Sequence, residues 1–95
     1  MNVKLSKLAK EDLIDIWLYG ENNLGAMSAD RYLDSLDVFL RYLIHFPEKF
    51  PLRQEFQPSV RLAPFKSHLV VYIHTEKYIQ IVRVLHQSMD MPNQI

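Results

Sequence analysis

The chain has 95 residues, enough for one domain with a modest core, and no cysteine, which excludes a disulfide framework, a thiol nucleophile and a thiolate metal site. Its 48% hydrophobic and 23% charged residues are the composition of a globular domain, not of a disordered segment. Eleven basic residues balance eleven acidic ones, so the surplus of cations that a broad grip on nucleic acid requires is missing and no direct nucleic-acid binding is expected.

Asn2 to Leu5 alternates polar and apolar residues as a short strand would, and Ser6 is a suitable helix N-cap. Neither this beginning nor any later run resembles a signal peptide or a membrane span, so a cytoplasmic location is expected, with no membrane partner. From Lys7 to about Asn23, Leu8, Ala9, Leu13, Ile16 and Trp17 recur at helical spacing, with Ile14 and Leu18 widening the stripe. Gly20 weakens this helix by about 1 kcal/mol relative to Ala. Asn22-Asn23-Leu24-Gly25 supplies the stop, with Gly25 suited to the left-handed C-terminal position.

A second helix follows, in which Ala29, Tyr32, Leu33, Leu36, Phe39, Leu40 and Leu43 form the apolar stripe and Pro47 closes the run. Two apolar-faced helices joined this tightly predict an antiparallel hairpin. Three prolines between Phe46 and Pro58 exclude continuous helix and central strand, leaving a loop of limited flexibility. Val60–Ala63, Leu69–His74 and Ile79–Leu85 then read as three strands with short, antiparallel connections. The expected fold is α+β: one domain over residues 1–95, a helical hairpin packed on a small antiparallel sheet in the order β-α-α-β-β-β.

Chemical motifs are few. The two glycines make no phosphate loop, and none of the serines stands in a nucleophile-elbow context. His68 and His74 lie six apart on one strand, about 20 Å at about 3.3 Å per residue, and no short histidine pair of the zinc type occurs, so no metal and no cofactor are expected. Trp17 reads first as packing with its indole nitrogen on one acceptor, and second as a binding anchor.

The last strand is the exception. Arg83 stands inside the apolar run from Ile81 to Leu85 and His86 follows directly on it, and each needs a partner or water. Three apart, they point to opposite faces of a regular strand unless a bulge intervenes. If the register gathered Arg61, Arg83 and His86, they would form a small cationic site; otherwise each pairs with an acid such as Glu55, Glu76 or Asp90.

Three segments resemble the ParE branch of the ParE/RelE bacterial toxin superfamily. They are Lys10-Glu11-Asp12-Leu13-Ile14-Asp15-Ile16-Trp17-Leu18-Tyr19, Ala29-Asp30-Arg31-Tyr32-Leu33-Asp34, and Arg83-Val84-Leu85-His86 followed by Met89-Asp90. The resemblance implies two antiparallel helices on an antiparallel sheet and a type II toxin that inhibits DNA gyrase and is neutralised by a cognate ParD-like antitoxin. The RelE branch implies instead a ribosome-dependent mRNA endoribonuclease with a strongly basic pocket, whose matching positions here are Val60, Leu62, Leu69 and Gln87-Ser88-Met89. A binding inhibitor without catalytic residues is therefore the expectation, the alternatives being that ribonuclease or a degenerate toxin kept for complex formation. Trp17, Arg61, Arg83, His86 and Met89 are the candidate target or antitoxin contacts. Departures from the ParE pattern are Val60 and Gln87, where the family often has glycine.

Overall fold

The computed structural model describes residues 2–88. In chain order it contains β1 (Asn2–Leu5), α1 (Lys7–Leu24), α2 (Ala26–His45), β2 (Leu52–Arg53), β3 (Val60–Phe65), β4 (His68–His74) and β5 (Tyr78–His86). The strands form one sheet in the order β1-β5-β4-β3-β2, antiparallel except where β1 runs parallel to β5. The fold is thus α+β, with one strand more than the expected order and one parallel pairing in a sheet expected to be antiparallel. The proline-containing loop contributes a two-residue edge strand, and the N-terminal strand joins in parallel beside the last one.

Ser6 starts α1 and anchors it. Its hydroxyl accepts the Ala9 N–H at 3.0 Å and donates to the Val82 carbonyl at 2.7 Å, so the cap also ties the helix to β5. Gly25, at φ 94° and ψ 159°, ends α1 and begins α2. Its φ is positive as the helix stop suggested, but its ψ is extended rather than left-handed helical, which lets one residue reverse the chain. Gly20 has a packing role: a Cβ there would lie 3.2 Å from the Ala29 Cβ, so the missing side chain permits close approach of the helices. Pro47, just after α2, is the stop that its missing N–H and restricted predecessor require.

The main core lies between the hairpin and one sheet face, where Leu36, Leu40 and Leu43 meet Tyr72, Ile79 and Ile81. On the other face Val60, Val71 and Leu85 are covered by Phe56 from the loop before β3, together with Leu62, Ile73 and Val82. The β4–β5 register steps once: Tyr72 faces Ile81 and Val71 faces Arg83, leaving Val82 as an inserted residue. Ile81 and Val84, an odd number apart, consequently both join the helix-facing core.

Candidate functional site

An open groove of about 560 Å³ lies where α1, the start of α2 and the ends of β4 and β5 converge. Asp12, Asp15, Ile16 and Tyr19 line it from α1, Tyr32 from α2, and His68 and His86 from the sheet. The inter-helix turn brings apolar surface beside it: Tyr19, Leu24 and Met27 are 71, 73 and 71% exposed. Ile14 and Leu18, one helical turn apart on α1, are exposed as well.

Asp12 fastens the groove to the sheet. One carboxylate oxygen accepts from Arg83 Nε at 2.9 Å and from the Val84 backbone N–H at 2.9 Å; the other accepts from Arg83 Nη2 at 2.9 Å. This two-pronged pair holds the guanidinium proton above its ordinary affinity, through the hydrogen bond to Asp12 and against the opposing effect of burial. The sequence proposed Glu55, Glu76 or Asp90 as the partner acid. Glu55 instead binds Arg53 at 2.7 Å, which lowers its carboxyl pKa, and Asp90 lies outside the described residues.

Beside this pair the hairpin meets the sheet again. The Tyr32 hydroxyl lies 2.6 Å from His68 Nδ1, and the planes of the His68 and His86 rings are inclined at 79° with centroids 5.5 Å apart. His86 Nδ1 lies 2.7 Å from Ser88 Oγ. Burial lowers the His68 pKa below its usual value, the neighbouring His86 lowers it further, and Asp12 acts in the opposite sense. At neutral pH the His68 ring is therefore an uncharged donor and acceptor.

The structure distributes the sequence-selected residues over separate places. Trp17 is half-buried and its indole N–H donates to Asp30 at 2.8 Å, bridging the two helices. Arg61 donates to the Phe50 carbonyl at 2.6 Å, in the row of the sheet where it faces Tyr72. His86 faces His68, four residues along β4 from that row, or about 13 Å. The cationic cluster of Arg61, Arg83 and His86 consequently does not form. Arg83 and His86, three apart on the regular stretch after Val82, are linked to one groove only through Asp12, which holds Arg83 and lines the groove with His86. Met89 lies outside the described residues.

Residue-type reasoning passed over Asp12, Tyr32 and His68. Asp12 carried a usable signal, since it falls between Ala9 and Ile16 in the apolar stripe of α1, where a carboxylate requires a partner. Among the described residues no group of three or more His, Asp or Glu side chains is arranged to hold a metal ion, and no helix is long and apolar enough to cross a membrane.

Residues 3–91 match the model of the family described as ParE toxin of type II toxin-antitoxin system, parDE. The chain is 33% identical over 87 residues to Toxin ParE1 of Caulobacter vibrioides, an alignment covering 92% of this chain and 90% of that protein. Its fold superposes with a TM-score of 0.77 on a structure described as the chromosomal ParDE TA system from P. aeruginosa, covering 90% of this chain and 95% of that one at 20% identity. The family match spans nearly the whole chain and includes the strands, both helices and the Asp12–Arg83 pair: the chain belongs to the ParE toxin family of type II toxin-antitoxin systems.

Proposed function

We propose that this chain is a cytoplasmic toxin that inhibits DNA gyrase by binding, without catalysing a reaction, and that a ParD-like antitoxin neutralises it. The observation that carries the binding reading is the apolar surface at the groove and the inter-helix turn, where Tyr19, Leu24 and Met27 stand more than two-thirds exposed. Exposed apolar side chains beside a groove on a small domain are suited to a protein partner, and a disordered antitoxin segment that folds on contact would cover them. Family membership supports gyrase as the target and a ParD-like protein as the neutralising partner.

The arginines support inhibition over ribonuclease action. Arg61 is engaged by a backbone carbonyl and Arg83 by Asp12, whereas phosphodiester cleavage needs cations aimed at the developing charge. The test is gyrase supercoiling with purified toxin. Loss of supercoiled product, accumulation of cleaved DNA and restoration by the antitoxin encoded beside the toxin are expected. Normal supercoiling at a large excess of toxin overturns the gyrase assignment.

A further inference from the structure

We propose that His68 and His86 form a two-imidazole chelate for a divalent transition metal of the zinc–copper class. The two residues face each other across β4 and β5. The Gln87 N–H bonds the Ser67 carbonyl at 2.9 Å, so the neighbouring rung is the hydrogen-bonded one and the histidines occupy a non-hydrogen-bonded rung, where opposing side chains come closest. Gln87 fixes this end of the hairpin further, its side-chain amide donating to the Lys66 carbonyl at 2.7 Å and the His68 carbonyl at 3.2 Å.

The ring separation matches a shared ion. A metal about 2.1 Å from an imidazole nitrogen is about 3.2 Å from that ring's centre, so two imidazoles meeting at a tetrahedral angle place their centres about 5.2 Å apart. The observed separation is 5.5 Å. Each ring also has an outer partner on Nδ1, Tyr32 Oη for His68 and Ser88 Oγ for His86, which leaves Nε2 as the nitrogen available to a metal. Metal binding selects the tautomer in which both Nδ1–H groups donate, and the longer contact from the Ser88 N–H to His86 Nδ1, 3.2 Å, gives way.

No third His, Cys, Asp or Glu among the described residues joins the pair, so water fills the remaining positions and binding is weaker than at a closed structural zinc site. The affinity order places Cu²⁺ above Zn²⁺. The test titrates the full purified chain with Zn²⁺ by calorimetry and with Cu²⁺ by electron paramagnetic resonance. One equivalent is expected, with hyperfine coupling from two imidazole nitrogens. His68→Gln and His86→Gln each weaken Zn²⁺ binding at least about tenfold, and Tyr32→Phe weakens it by up to about tenfold. His45→Gln and His74→Gln leave it unchanged. His86 is exposed, so His86→Gln retains the native circular dichroism spectrum and serves as the decisive variant. Unaltered Zn²⁺ affinity in His86→Gln, a single-nitrogen Cu²⁺ signal, or equal losses in His45→Gln or His74→Gln overturns the proposal.

Discussion

Asp12 concentrates three hydrogen bonds in one carboxylate, two from Arg83 and one from the Val84 N–H. With side-chain exposures of 17% for Arg83 and 12% for Asp12, the pair is sequestered enough that removing one charge strands the other. Asp12→Asn is therefore expected to cost about 3 kcal/mol, the lower end for such pairs because some solvent access remains, and urea denaturation measures it. His68 gives stability a pH dependence of definite sign. Its folded pKa is lowered, so the unfolded chain takes up this proton first, and the contribution present above the ordinary histidine value is lost as pH falls through the folded one. Denaturation midpoints at about pH 7.5 and about pH 5 should show the loss, and His68→Gln should flatten it. At this scale the sequence flagged Arg83 as needing a partner, but choosing Asp12 required knowing which turn of α1 lies over β5.

Gly25 joins the helices in a backbone region nearly closed to other residues, and no atom within 4 Å would obstruct a Cβ there. The effect of Gly25→Ala is thus conformational rather than a clash: a loss of about 1–3 kcal/mol, read from the thermal or urea midpoint. Helices and strands were legible because apolar spacing at α2 and apolar runs at β4 and β5 reflect burial directly. The parallel partner of β1 was not, since a four-residue alternation carries no information about which edge it joins. Register was also hidden. Counting back from the Thr75-Glu76-Lys77 connection with the pairing of His74 to Ile79 sets His68 opposite Leu85; the inserted Val82 moves it opposite His86. One unpaired residue therefore creates the histidine pair and turns His86 toward the groove, and nothing in the composition of Ile81-Val82-Arg83 announces it.

The whole molecule keeps its buried core apart from the exposed apolar side chains at the inter-helix turn. Its buried side chains lie between the hairpin and the sheet and on the sheet's far face, whereas Leu24 and Met27 contribute almost nothing to either core cluster. Leu24→Asp combined with Met27→Asp should leave unfolding free energy within about 1 kcal/mol of the parent while weakening antitoxin capture and gyrase inhibition together. Paired denaturation and binding measurements check both halves of that statement. The strand order has a further consequence, for synthesis. β5 lies between β1 and β4, so the latest of the described strands is the one that connects the first of them to the rest of the sheet, and both Ser6 and Asp12 wait for acceptors or donors at residues 82–84. Contacts of such long sequence separation cannot form while the C-terminal segment is still inside the ribosome. The sheet is consequently completed only once β5 has emerged, and a message broken before the codons of β5 yields a chain that cannot close its sheet.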